Sequence, residues 1–189
     1  MNLIREAQIS RCGLYRYDLY RRWGIKPGFV LWVMLNPSTA DAAKDDATIR
    51  KCIGFSDRLG FHALHVVNLF AFRATDPEEL ARAADPIGEQ ADFFISLRSH
   101  SHGVQKIIFA WGAPPNGLAE RARLRISQVA FLIGKSVFCL GRTLSGDPRH
   151  PSRLCYDAQL LPFSHELLPA NVESAQTRVS VPHGSRTDG

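Results

Sequence analysis

Four short apolar runs constrain this chain more than anything else in it: Phe29-Val30-Leu31-Trp32-Val33-Met34-Leu35, Ala63-Leu64-His65-Val66-Val67, Lys106-Ile107-Ile108-Phe109-Ala110 and Ser136-Val137-Phe138-Cys139-Leu140. None shows the strict polar and apolar alternation of a strand with one wet face. Nearly continuous runs of this kind suit strands covered on both faces, as in a mainly parallel sheet. The segments between them read as helices: Ala47 to Leu59, with Asp45 or Asp46 as N-cap, Gly88 to Leu97, and Gly117 to Leu132, which stops at Gly134. Upstream, Tyr15 to Tyr20 alternates large and charged residues, and Gly24 to Gly28 supplies turn residues. That pattern predicts an antiparallel hairpin leading into the first buried strand.

The expected fold class is therefore α/β: a three-layer α/β/α sandwich whose central sheet has about four mainly parallel strands, plus the N-terminal antiparallel hairpin. Residues 1–169 are expected to form one domain. From about residue 170 the sequence NVESAQTRVSVPHGSRTDG is polar and turn-rich, and 170–189 is expected to be a disordered tail.

The net charge of +5 permits a phosphate-bearing partner without requiring one. Most of it falls in residues 1–28, where Arg5, Arg11, Arg16, Arg21, Arg22 and Lys26 face only Glu6 and Asp18. Cys12, Cys52, Cys139 and Cys155 have no metal-site spacing, so four free thiols in a reducing cytoplasm are expected. His62 with His65, and His100 with His102, do not form a convincing zinc set, and neither a metal nor another cofactor is expected. The longest uncharged apolar run is too short to span a bilayer. A cytoplasmic monomer with no membrane contact is the expectation.

In a parallel sheet, ligands gather at the carboxyl ends of the strands. The first strand is followed by Asn36-Pro37-Ser38-Thr39-Ala40-Asp41 and the second by Asn68-Leu69-Phe70. The third leads into Trp111-Gly112-Ala113-Pro114-Pro115, and the fourth into a loop ending Arg149-His150-Pro151-Ser152-Arg153-Leu154. All four segments deliver polar or small residues to one sheet edge. Taken singly, Asn36-Pro37-Ser38 also reads as a strand-ending turn, Asn68 as a loop-tying amide, and His150 as a surface histidine.

In this order, from about Leu14 to Pro162, the segments resemble the uracil-DNA glycosylase superfamily, and within it domain-of-unknown-function family 1643, a bacterial and phage group. Asn36-Pro37 resembles the loop that positions the attacking water. His150-Pro151-Ser152-Arg153-Leu154 is similar to the motif whose histidine stabilises the departing pyrimidine and whose leucine fills the gap left by a flipped base. Asn68 resembles the asparagine that reads the pyrimidine edge, and Trp111-Gly112 the floor of the pocket.

The resemblance implies that the chain hydrolyses the N-glycosidic bond of a modified or non-standard base in DNA or a nucleotide. Asn36 and His150 would be catalytic. His150 would donate to the base oxygen as it becomes anionic, and Asn36 would orient a water without deprotonating it. Asn68, Pro37, Ser38, Thr39, Phe70, Arg73, Trp111, Gly112, Ser152 and Leu154 would bind substrate, the hydroxyls and Arg73 meeting phosphates. Arg16, Arg21 and Arg22 would follow a strand backbone. Met34-Leu35 in place of a glycine, Arg153 in place of a proline, and Asp41, Asp45 and Asp46 near Asn36 favour a modified substrate or a nucleotide over duplex DNA. A catalytically idle binder of a modified or flipped base, or a small-molecule nucleosidase or phosphate-ester enzyme, is the alternative.

Overall fold

Every residue of the strand Phe29–Met34 is buried, as its unbroken apolar sequence requires. The computed structural model describes residues 3–164. In chain order the strands are β1 (Ile4–Ile9), β2 (Arg16–Arg22), β3 (Phe29–Met34), β4 (Ala63–Asn68), β5 (Val104–Phe109), β6 (Val137–Cys139) and β7 (Leu161–Phe163). The helices are α1 (Ala47–Arg58), α2 (Pro77–Arg82), α3 (Ala91–Ser99) and α4 (Ala119–Ile133). The expected tail from residue 170 lies outside the described residues.

The strands form one seven-stranded sheet in the order β1-β2-β4-β3-β5-β6-β7. The four strands anticipated from apolar runs are its parallel centre, β4-β3-β5-β6. Antiparallel strands flank that centre on both sides. Two opposed apolar clusters cover the sheet. Trp32, Val30 and Val66 pack with Ile49, Cys52 and Phe55 of α1 on one face. Leu31, Val33 and Val67 pack with Ile95 of α3 and Ile126 and Val129 of α4 on the other. This gives the expected three layers, and Phe55 is a core residue.

The strand count is a correction, with a physical cause at each missed element. β1 is exposed along nearly its whole length, so its sequence IREAQI carries no burial pattern. β7 has three residues, two of them exposed. The hairpin also differs from expectation. β2 pairs with β1 through a turn near Gly13, and β4 lies between β2 and β3, so Gly24 to Gly28 carries the chain across a neighbour. The helix ends follow local chemistry: the Asp46 carboxylate accepts from the Ile49 N–H at the start of α1, and Gly134, with φ of 55°, closes α4.

The N-terminal arginines do not form a track for a nucleic acid. Arg21 is fully buried: its Nε donates to Asp45 at 2.6 Å, and its two terminal nitrogens donate to the carbonyls of Tyr20, Glu6, Asp41 and Lys44. Arg16 is also buried, and Arg22 donates to the carbonyls of Gly24, Ile25 and Lys26. Arg125 of α4 is buried too and binds Leu69 O and Asp92. His65 packs between Tyr20 and Phe29 and bonds Asp18, which also takes Arg98. Among the described residues no cluster of His, Cys, Asp or Glu is placed to hold a metal, and no helix is long and apolar enough to cross a membrane.

Removing one member of a buried ion pair strands the other in a poor solvent. Arg21→Met is therefore expected to destabilise the protein by about 3–5 kcal/mol, read as a lower urea midpoint. An unchanged midpoint would show that the loop between β3 and α1 is held by something else.

Candidate active site

Because β3, β4, β5 and β6 run parallel, their carboxyl ends share one edge, with Met34 beside Asn68 and Val33 beside Phe109. Main-chain bonds carry the pairing past the strand ends: Leu69 N–H to Met34 O at 2.8 Å, Phe70 N–H to Leu35 O at 2.9 Å, and Ala110 N–H to Val33 O at 2.9 Å. The loops that follow therefore start from fixed positions.

Two clefts open among these loops. The larger, about 590 Å³, is lined by Trp111, Gly112, Thr143, Arg149, His150, Ser152, Arg153 and Leu154. It unites five of the anticipated residues: Trp111, Gly112, His150, Ser152 and Leu154. The smaller, about 370 Å³, includes Ser38, Thr39 and Arg73 with Asp41, Lys44 and Glu79. Pro37 is buried, and its carbonyl accepts from the Ala74 N–H. Phe70 is 1 % exposed and belongs to the core, where it has no surface to offer a ligand.

His150 is held in one tautomer. The Ser152 N–H donates to its Nδ1 at 3.3 Å, and the Ser152 hydroxyl lies 2.8 Å from the same atom. With Nδ1 accepting, Nε2 carries the proton and is the ring's remaining donor. Burial pushes the imidazole pKa down, Asp46 opposes this, and Arg153 reinforces it. The loop behind it is braced by Trp111, whose indole N–H donates to Asp147 at 3.2 Å, and by Gly112, whose N–H donates to Pro148 O at 2.9 Å. Gly112 has φ of 75°, and a Cβ there would lie 3.2 Å from His150 Cβ. Trp111 thus packs the floor and fastens the histidine loop at once.

The two asparagines have divided duties. Asn36 Nδ2 donates to Pro37 O at 3.1 Å and to Ala74 O at 2.8 Å, tying the loop after β3 to the loop after β4. Its Oδ1 is the atom left to accept from a ligand or water. Asn68 is buried, with Oδ1 3.4 Å from a terminal nitrogen of Arg16 and with Nδ2 unpartnered. Arginine only donates, so this contact occupies the amide oxygen and leaves a lone donor, not the donor and acceptor pair that a pyrimidine edge needs; neither Asn68 nor Asn36 lines either of the two clefts.

Sequence reasoning placed Asp46 near Asn36 and Arg16 along a strand backbone, without anticipating that the Asp46 charge acts on Arg16 and on His150. The Asp46 charge acts on both Arg16 and His150, which places the two halves of the sheet edge within one electrostatic environment. Asp46 is also the helix cap that the sequence suggested. The burial of Arg16 was not legible, because β2 is buried on both faces and its charges do not alternate with exposure.

The depressed pKa of His150 sets a pH dependence. The unfolded chain takes up the proton first, so this group lowers stability as pH falls below the ordinary 6.5, until the folded-state pKa is passed. NMR titration of the ring is expected to give a midpoint below 6.5. Gly112→Ala is expected to cost about 1–3 kcal/mol from the backbone conformation alone and to shift the His150 resonances. Unshifted resonances would mean that the close contact does not position the ring.

No curated protein and no solved structure matches the chain. The model of the family described as "Protein of unknown function (DUF1643)" matches residues 16–152, a span that runs from the start of β2 through His150 to Ser152 and takes in most of the lining of both clefts. The chain therefore belongs to the DUF1643 family.

Proposed function

We propose that the protein hydrolyses the N-glycosidic bond of a modified or non-standard base in DNA or a nucleotide. One observation carries this reading: His150 is fixed by Ser152 with its Nε2–H as the free donor, and burial favours its neutral form, in a cleft of about 590 Å³. A departing base gains negative charge, and a neutral imidazole N–H stabilises that charge without giving up its proton. Asn36 orients the attacking water through Oδ1. Its amide cannot take the water's proton, so the reaction relies on leaving-group stabilisation, as suits an oxocarbenium-like departure. The ordered resemblance of Asn36-Pro37, Trp111-Gly112 and His150 to Leu154 to the uracil-DNA glycosylase superfamily supports the same assignment, as does the α/β fold that brings those segments to one edge.

A small ligand suits the site better than a long duplex. Arg16 and Arg21 are buried and Arg22 is tied to the turn carbonyls from Gly24 to Lys26, so these three offer no continuous basic track. A second reading, a binder that holds a modified base without cutting it, is favoured by the amide at Asn36, whose Nδ2 is committed to Pro37 and Ala74.

The test is release of free base from nucleotides, and from single- and double-stranded oligonucleotides, carrying uracil or modified pyrimidines. His150→Asn retains an acceptor near the place of Nδ1 and loses the Nε2–H, and is expected to lower kcat by about 10²–10³-fold. Asn36→Ala is expected to lower the rate while the fold persists. Salt-sensitive binding with no base released by the wild-type protein would select the binder; neither binding nor release would sink both readings.

A further inference from the structure

We propose that Arg16, Arg73 and Asn68 form a receptor for a phosphate group beneath the loop that follows β3. Three of the four buried side-chain nitrogens or oxygens left without a partner among the described residues belong to this one cluster: Arg16 Nε, Arg73 Nε and Asn68 Nδ2. All three are donors.

The other buried arginines differ in how fully the fold supplies their acceptors. Arg21 pairs with Asp45 and four carbonyls, and Arg125 pairs with Asp92 and Leu69 O. Arg16 has the Ala40 carbonyl at 2.8 Å and the long contact to Asn68, and forms no ion pair among the described residues. A buried cation without an anion is costly, and so is a buried donor without an acceptor. Burial pushes the Arg16 guanidinium down to about 10, so it remains charged at neutral pH, with Asp46 favouring the charge and Arg73 opposing it.

The backbone brings the two cations together. Tyr15 bridges Phe72, Arg16 N–H donates to Ala71 O, and Arg73 N–H donates to Leu14 O. Tyr15 and Phe72 pack their rings on one side of this ladder, so Arg16 and Arg73 lie on the other. Arg73 also lines the 370 Å³ cleft with Ser38, Thr39 and Lys44. Of the carboxylates on that cleft, Asp41 is turned toward the Ala43 and Lys44 N–H groups and Glu79 is exposed.

The donor set selects the ligand. A base carbonyl has two lone pairs and no charge, which is too little for three orphaned donors on two guanidiniums and an amide. A phosphate offers several acceptor oxygens and the missing negative charge. The Arg16 Nε–H is the donor left for such an oxygen, since a terminal nitrogen already holds the Ala40 carbonyl. The receptor does not depend on a bond being cut beside it.

Thermal unfolding of the full chain in inorganic phosphate, against sodium chloride at equal ionic strength and against acetate, tests this directly. At a hundredfold excess over Kd the phosphate arm is expected to raise Tm by about 5–10 °C. Asn68→Asp supplies Arg16 with an internal carboxylate and is expected to raise Tm without ligand and abolish the phosphate response. Arg73→Ala, at a half-buried position, is expected to keep the fold and weaken phosphate binding about tenfold, which decides the matter if Asn68→Asp does not fold. A phosphate response no larger than that of chloride or acetate overturns the proposal, as does a response undiminished in Arg73→Ala.

Discussion

The buried guanidinium of Arg21 is the contact on which the arrangement of the sheet edge depends. β2 lies outside the parallel centre of the sheet, and the long loop between β3 and α1 has few apolar side chains with which to pack itself down. Arg21 solves both problems from one side chain, holding Asp45 by charge and the Asp41 and Lys44 carbonyls by hydrogen bonds. Asp46 follows immediately and caps α1, so the arginine also sets where that helix begins. The position of α1 in turn fixes the far side of the larger cleft. Lys51 donates to the Leu154 carbonyl at 2.8 Å, and Gly54 leaves room for the Tyr156 ring against the helix.

The parallel centre of the sheet was legible because each of its strands had to be apolar on both faces, a demand that sequence cannot conceal. The same logic explains the failures. An exposed edge strand such as β1 and a three-residue strand such as β7 have no such demand to display. Gly24 to Gly28 has the composition of a hairpin turn, but composition does not say which strand lies next door. The choice was made by β4, whose residues from Ala63 to Val66 pair with β2 and whose other side pairs with β3.

The site was legible to a similar depth. His150, Ser152, Leu154, Trp111 and Gly112 share a cleft because two parallel strands deliver their loops side by side. Phe70 looked available only because it follows Asn68; the chain turns it into the core. The arginines misled for a deeper reason. A count of charges locates basicity along the chain, whereas its effect on a partner depends on solvent exposure, and here Arg16, Arg21 and Arg22 serve as internal fasteners while Arg5 and Arg11 are exposed.

Arg16 is the exception within that group, and the exception is what gives the sheet edge its polarity. A fastener has its acceptors supplied by the fold; Arg16 has only part of its set. Asp46 is near enough to act on both Arg16 and His150, favouring the charged form of each. Burial opposes it at both places, and the outcomes differ because an arginine starts from a far higher pKa than a histidine. One carboxylate in one environment therefore stands beside a lasting cation and a ring whose neutral form burial favours.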